Sequence, residues 1–337
     1  MTKPARPSLA QRLLAGVAQC IALVVILCHA VYRESETRLE SVRQINVESL
    51  TSSADRKTLE RGRHLGEVVA QCTFCHADDW GGTRITDDLV VGRLYSSNLT
   101  SGRGGIAKRY RDHDLVRAIR HGVNPAGKNL WFMPSEHFVA ISDEDLSSLI
   151  VYIRALPPVD RVAPARWAGP AGRLAVVLDL APELIARDPI AKRGDAHRPS
   201  TRDTVRYGEY LVSVGICGTC HRANLAGGRH PLAPPHEPVP PDLTRGGALA
   251  RWSREDFIHT LRTGVTPSGT PLDPQFMPWD KYAAMSDEEL SAMWTFLERL
   301  PGATGDEAPL GLAAVSTPVP RVTPGRDRAN GASRPPP

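Results

Sequence analysis

The sequence predicts an all-α protein: two tandem copies of one small helical module behind a single N-terminal apolar helix. Three observations predict it. Residues 13–32 form a stretch without a formal charge. The chain beyond it repeats itself at an offset of 142–145 residues. Apolar residues recur at helical spacing behind capping serines, and no segment alternates over strand length. Composition agrees with a folded chain. Aliphatic, aromatic, Cys and Met residues make up 41% of 337 residues. Adding Gly and dropping Tyr brings this to about 47%, inside the usual ~45–50%, which excludes a wholly disordered chain. The 29 prolines exceed the average share and predict long loops. A net charge of +4, spread along the chain, makes nucleic acid a poor partner. Six cysteines are too few for a disulfide scaffold at this length.

Residues 13–32, as a helix rising about 1.5 Å per residue, span roughly 30 Å, the thickness of a hydrocarbon core. Lys3, Arg6 and Arg12 precede the run, so the short N-terminus is expected to stay cytoplasmic while the rest crosses. Residues 1–33 therefore read as a membrane anchor. A cleaved signal peptide is the competing reading, because Cys28-His29-Ala30 loosely fits a small-x-small cleavage site. The apolar run is longer than the roughly 7–15 residues of a signal core, which favours the anchor. Both readings export the chain from Arg33 onward. Cys20 and Cys28 have no evident role.

The other four cysteines stand in pairs, Cys72-Thr73-Phe74-Cys75-His76 and Cys217-Gly218-Thr219-Cys220-His221. C-x-x-C alone fits a zinc ribbon or a redox site, but C-x-x-C-H is the attachment sequence of c-type haem. Two thiols three positions apart reach the two vinyl groups of one porphyrin, and the next residue sets an imidazole under the iron. Zinc would need both C-x-x-C pairs at one ion. Two copies in an exported chain favour haem, with Cys72, Cys75, Cys217 and Cys220 as covalent attachment points and His76 and His221 as proximal ligands.

The repeat extends well beyond these motifs. Gly81-Gly82 matches Gly227-Gly228, Asn98-Leu99-Thr100 matches Asp242-Leu243-Thr244, and Gly104-Gly105 matches Gly246-Gly247. Arg109-Tyr110 matches Arg251-Trp252, and Gly122-Val123 matches Gly264-Val265. Phe132-Met133-Pro134 matches Phe276-Met277-Pro278, and both copies end at Leu-Pro, Leu156-Pro157 and Leu300-Pro301. Helices are expected at 59–71 and 205–216, leading into the cysteine motifs, and at 113–121 and 255–263 after the shared aromatic. The closing helices start at Ser142 and Ser286 as N-caps, with Asp145 and Glu289 three residues later in the manner of a capping box.

Each repeat serves as a control on the other for the distal iron ligand. Met133 is the one methionine of its copy, and Met277 stands at the matching place in the same Phe-Met-Pro loop. A proline-stiffened loop holds a thioether at fixed distance, so Met133 and Met277 are assigned as axial ligands. Met285 and Met293 align with the aliphatics Ile141 and Leu149 and read as core. His137, His121 and His113 do not recur, since Lys281, Thr263 and Glu255 replace them, and they read as surface or hydrogen-bonding residues. Arg109/Arg251, Arg120/Arg262 and Tyr110/Trp252 recur, and either haem propionates or packing would explain them.

These motifs resemble the membrane-bound dihaem and multihaem cytochrome c subunits of bacterial dehydrogenase complexes. The shared pattern is C-x-x-C-H, a Gly-Gly step, N-L-T, G-G-I before an aromatic, and a late M-P loop. The first copy has every element; the second reads Asp242 for Asn and Ala248 for Ile. The likeness covers 59–157 and 205–301 and implies two class I cytochrome c modules, at 50–158 and 201–302, with two covalent haem c groups. Relatives in alcohol, gluconate and fructose dehydrogenases usually carry three haems, so this chain departs from their count. Residues 159–200 read as a Pro-, Ala- and Arg-rich linker whose apolar patch, 174–180, packs across the modules. Residues 303–337 read as a disordered Pro-rich tail.

Ligation by His and Met leaves iron six-coordinate, and thioether ligation raises its potential. The expected role is an electron-transfer subunit in the cytoplasmic membrane with its haem modules in the periplasm. It would take electrons from a dehydrogenase subunit toward quinone or a terminal oxidase. The sequence carries no flavin or nicotinamide fingerprint and no Ser/His/Asp arrangement, so substrate oxidation is assigned to another chain. A dihaem peroxidase is the alternative enzyme, but it needs two unlike sites and these Met loops are alike. A cytochrome subunit of a haem–copper oxidase also fits an anchor and two haems; the 145-residue spacing and long linker argue against it.

Overall fold

A computed structural model describes residues 8–50, 52–181, 184–185, 197–230 and 232–302. The Pro-rich tail at 303–337 and part of the linker lie outside the described residues. The first helix, α1 (Leu9–Leu39), starts at Ser8, which exchanges hydrogen bonds with Gln11 in a capping box. Its 31 residues outrun the apolar stretch by two turns, because Ser35 and Leu39 bury against the rest of the protein. Upstream its apolar side chains stay exposed, Val25 at 61% and Leu27 at 65%. Among the described residues it is the one helix long and apolar enough to cross a membrane, judged by length and composition.

The first repeat contains α2 (Arg56–His64), α3 (Cys72–His76), α4 (Asp112–His121), α5 (Ser135–Phe138) and α6 (Asp143–Ala155). After α7 (Pro170–Val177), the second holds α8 (Thr204–Val214), α9 (Cys217–His221), α10 (Arg254–Thr263), α11 (Trp279–Tyr282) and α12 (Asp287–Leu297). In each repeat the leading helix crosses the closing helix at a glycine. A Cβ on Gly62 would collide with the Ser148 carbonyl, and one on Gly208 with the Ala292 carbonyl. From that crossing to the first cysteine the first copy has one residue more than the second. A π turn at Leu65–Val69, closed by Ala70 N–H to Leu65 O, absorbs it. The buried apolar side chains of both repeats form one continuous cluster, from Leu65 and Leu149 to Leu211 and Leu290.

The expectation of a purely helical protein is corrected by a small antiparallel sheet. Strands β1 (Arg84–Asp88), β2 (Gly92–Tyr95) and β3 (Trp167–Ala168) lie in the order β1-β2-β3. Strands of two to five residues are too short to show a period, and β3 joins from the linker, a non-local pairing. The apolar patch of the linker is corrected as well. Its first half closes α7, and Val176 packs with Leu39 of α1 and Ala168 of β3 instead of lying between the repeats.

The two repeats are joined by a crossed polar network. Arg61 and Tyr207 each precede the crossing glycine, and His64 and Tyr210 each follow it by two residues. Arg61 makes two hydrogen bonds, 2.8 and 2.7 Å, to Asp145 of its own repeat. Tyr207 reaches Glu289 of its own repeat at 3.4 Å. His64 crosses to Glu289 at 2.9 Å, and Tyr210 crosses to Asp145 at 2.6 Å. Both acids are the third residues of closing helices. Ser142 and Ser286 cap those helices as expected. Glu289 returns the bond to the Ser286 N–H at 2.9 Å, whereas the shorter Asp145 spends its carboxylate on Arg61, Tyr210 and Arg198.

Burial alone would raise both carboxyls. Arg61, Tyr210 and Arg198 around Asp145, and His64 and Arg61 around Glu289, outweigh it and hold both below the usual carboxylate range. A depressed folded-state pKa means the stabilisation is complete above the unfolded value of ~4 and is lost as pH falls through the folded values. Asp145→Ala strands buried donors on both repeats and is expected to lower the unfolding free energy by about 3–5 kcal/mol at neutral pH. Urea denaturation across an acid series is the check, with a weaker dependence below about pH 4 in the variant than in the parent.

Candidate haem-binding sites

Both C-x-x-C-H segments are single-turn helices set between left-handed residues. Gln71 (φ 48°) and Ile216 (φ 51°) precede them, and Ala77 (φ 63°) and Arg222 (φ 65°) follow. Such conformations cost non-glycine residues about 1–3 kcal/mol each and persist where the surroundings impose them. Here they stop the leading helix and swing five residues across its end. Three positions apart on one turn, Cys72 and Cys75 share a face, as do Cys217 and Cys220. Burial pushes the Cys72 and Cys217 thiols up to about 12 and raises Cys75 and Cys220 too. Both thiols of each pair are therefore protonated in the folded chain. Among the described residues no group of three or more His, Cys, Asp or Glu side chains gathers as a metal cluster, so the alternative of one zinc between both pairs has no geometry behind it.

The histidines are held alike. His76 Nδ1 lies 2.8 Å from the Ser97 carbonyl, and His221 Nδ1 lies 2.8 Å from the Pro241 carbonyl. Nδ1–H donates, which sets the tautomer and leaves Nε2 as the nitrogen able to take a metal. Burial outweighs these hydrogen bonds and keeps both imidazoles below their ordinary pKa, hence neutral, the ligating form. Ser97 and Pro241 are the partners of these histidines, and sequence reasoning missed them. Their signal was present in the repeat, since each precedes the matched Asn98-Leu99-Thr100 or Asp242-Leu243-Thr244.

The structure explains those matched elements. Asn98 Oδ1 accepts from Thr100 N–H at 2.9 Å, and Asp242 Oδ1 accepts from Thr244 N–H at 2.7 Å. Each turn fixes the direction of the carbonyl just before it. The glycine steps complete the cradle: Gly82 N–H donates to His76 O and Gly227 N–H to His221 O, both at 2.9 Å. Gly82 (φ 80°) and Gly227 (φ 66°) are left-handed, and a Cβ there would meet the carbonyls of Ser96 and Pro240.

Met133 and Met277 each stand ahead of a proline, Pro134 and Pro278, that opens a one-turn helix, α5 and α11. Both are half-buried at the rim of the central cluster, together with Cys72 and Cys217. Met285 and Met293 are buried within it, at 2% and 3% exposure, as core methionines should be. In the first site the side-chain amide of Gln71, Thr73 Oγ1 and Trp80 Nε1 are buried with no hydrogen-bond partner among the described residues. Two neutral thiols on one turn, an imidazole of set tautomer, a thioether in a stiff loop and nearby unsatisfied donors fit a covalently attached haem.

Three of the other recurring residues have partners within the protein. Arg120 bonds Asp143 at 2.7 Å, and Arg262 bonds Asp287 at 2.7 Å, each tying its helix to the start of the closing one. Arg109 Nε bonds the Gly105 carbonyl at 3.2 Å. His137 has a structural place that its failure to recur concealed. Its ring lies over Gly218 of the second motif, 2.8 Å from where a Cβ would stand, and burial brings its pKa down to about 4. At the corresponding position Lys281 pairs with Asp78 of the first repeat at 2.8 Å. Each helix after a Met loop thus reaches the other repeat's attachment region, α5 at Gly218 within the turn and α11 at Asp78 two residues past it.

No protein-family model matches the chain. It is 25% identical over 282 residues to the fructose dehydrogenase cytochrome subunit of Gluconobacter japonicus, covering 77% of this chain and 56% of that one. It is 28% identical over 236 residues to the gluconate 2-dehydrogenase cytochrome c subunit of Pantoea cypripedii, covering 63% and 52%. It is 26% identical over 282 residues to the cytochrome c subunit of the quinone alcohol dehydrogenase of Gluconacetobacter polyoxogenes, covering 74% and 58%. The chain is a homologue of dehydrogenase cytochrome c subunits. It spans a little over half the length of these curated relatives.

Gly82→Ala is expected to lower the stability of the haem-loaded protein by about 1–3 kcal/mol, because a left-handed Ala must also displace the Ser96 carbonyl. Denaturation followed by haem absorbance measures it. An unchanged midpoint would mean that the glycine step does not hold the His76 segment.

Proposed function

We propose that this chain is the electron-transfer subunit of a dehydrogenase complex. Its two modules, residues 50–158 and 201–302, each hold one haem c. Cys72, Cys75, His76 and Met133 serve the first, and Cys217, Cys220, His221 and Met277 the second. α1 anchors the chain in the cytoplasmic membrane, and the modules stand on the periplasmic side. The observation that carries the reading is the matched pair of buried histidines, each locked through Nδ1 by a main-chain carbonyl beside two thiols one turn apart. When bound, haem c supplies a one-electron iron couple, which a thioether ligand shifts upward. The chain itself attaches, buries and orients the group. His76 and His221 would offer Nε2 to the iron, and Met133 and Met277 would supply the second ligand at each site. The names of the relatives support a dehydrogenase as donor; quinone or a terminal oxidase is the proposed acceptor.

The first check is stoichiometry. Pyridine haemochrome analysis of the full chain is expected to give two haems, falling to one in Cys72→Ala/Cys75→Ala and to one in Cys217→Ala/Cys220→Ala. Met277→His is expected to lower one potentiometric wave by a few tenths of a volt, a fraction of the roughly 0.8 V that axial ligands command, and to leave the other in place. Rapid stoichiometric carbon monoxide binding by the reduced parent protein would reveal an open iron site and sink the relay in favour of a peroxidase-like reading. Affinity capture from gently solubilised membranes then tests the partner, with recovery of a dehydrogenase catalytic subunit as the expected result.

A further inference from the structure

The most exposed apolar cluster outside α1 is the tip of the β1–β2 hairpin. Leu89, Val90 and Val91 are 84%, 58% and 50% exposed. Three adjacent branched aliphatics on a tight turn are costly in water, and their position in the fold indicates what covers them.

Helix α7 lies beside the end of α1 and runs in the same direction. Early in α7, Arg173 bonds Ser35 Oγ at 3.0 Å and Glu36 at 2.9 Å, with its guanidinium 4.2 Å above the Tyr32 ring. Late in α7, the Val176 carbonyl accepts from Arg38 at 3.1 Å, and Asp179 just beyond pairs with Arg38 at 3.8 Å. The first turn of α7 therefore points back toward the apolar run. To that turn the hairpin is fastened: Ala171 N–H donates to Val90 O and Gly169 N–H to Val91 O, both at 3.0 Å. Ala171 stands two residues before Arg173, about 3 Å nearer the apolar run, so the hairpin tip is held at the end of α7 that faces the apolar run of α1. The acids behind the tip are engaged. Asp88 accepts from Val90 N–H at 2.7 Å and Val91 N–H at 2.8 Å, and Asp87 pairs with Arg93 at 2.8 Å.

We propose that Leu89, Val90 and Val91 insert into the lipid interface beside α1 as a second membrane contact. The proposal rests on the reading of α1 as a membrane anchor. Its consequence concerns the first haem site. The hairpin strands run from that tip to Ser96 and Ser97. Ser96 Oγ donates to Cys75 O at 2.6 Å, and Ser97 O accepts from His76 at 2.8 Å. Two contacts instead of one hold the tilt of the periplasmic body, and the first site is the one tied to the bilayer.

The test uses the haem-loaded full chain with Cys20→Ala and Cys28→Ala, reconstituted in phosphatidylethanolamine/phosphatidylglycerol vesicles. Nitroxide labels are placed singly at Leu89→Cys, Val25→Cys and Val239→Cys, all exposed positions, and an unchanged haem spectrum checks the fold. Collision with oxygen, which concentrates in lipid, is compared with collision with a water-soluble nickel chelate. The expected result is an oxygen-to-nickel ratio at 89 several-fold above that at 239, approaching that at 25. A ratio at 89 equal to that at 239, with 25 reporting lipid, overturns the hairpin contact and leaves the anchor standing; the tip is then a surface for a protein partner. A water-like ratio at 25 as well overturns the anchor reading and the hairpin contact with it.

Discussion

An imidazole that is to hold a metal through one nitrogen must have its other nitrogen occupied, or ring rotation and tautomer exchange leave the ligand undefined. In this protein a main-chain carbonyl meets that requirement twice, Ser97 O for His76 and Pro241 O for His221. Much of the local architecture serves the placing of that carbonyl. The left-handed residues on either side of each C-x-x-C-H turn the helix across the end of its neighbour. The glycine step lets the following backbone pass without a Cβ in the way. The Asx turn at Asn98 or Asp242 then aims the carbonyl. One departure from the shared pattern falls where this geometry tolerates it, since Asp242 closes the same turn as Asn98.

A second constraint acts between the repeats. Their buried side chains form one cluster, so the sites are set relative to one another by packing and by the crossed network of Arg61, His64, Tyr207, Tyr210, Asp145 and Glu289. The network has an approximate two-fold pattern in which corresponding positions carry different chemistry, Arg opposite Tyr and His opposite Tyr. Buried charge is expensive to assemble and more expensive to leave half made. The contacts of His137 with Gly218 and of Lys281 with Asp78 bring the helix after each Met loop to the opposite attachment segment or the residues just beyond it. For a chain proposed to pass electrons between two centres, that is the useful arrangement.

The repeat made most of this legible. Comparing the copies separated Met133 and Met277 from Met285 and Met293, and burial separates them in the same way. Ser142 and Ser286 were readable as caps because capping is local. Cross-repeat roles were not readable, because Tyr210 and His64 do not recur and their partners lie 65 and 225 residues away. The sheet was missed for the same reason: β3 comes from the linker, and a two-residue strand has no period. The apolar patch at 174–180 was recognised as apolar but given the wrong neighbour, since periodicity states that a face is buried and not against what.

The sequence by itself determined the leading, middle and closing helices of each repeat, the caps at Ser142 and Ser286, the two C-x-x-C-H turns, the Met-Pro loops and the length of the apolar N-terminal run. All of these depend on residues within a few positions of one another. Only the tertiary structure decided which carbonyl holds each histidine, how the repeats are crossed, and where α7 and the hairpin stand beside α1. Those follow from contacts between segments far apart in the chain, where competing pairings of similar apolar and charged groups are separated by packing and by the cost of leaving a buried polar atom without a partner.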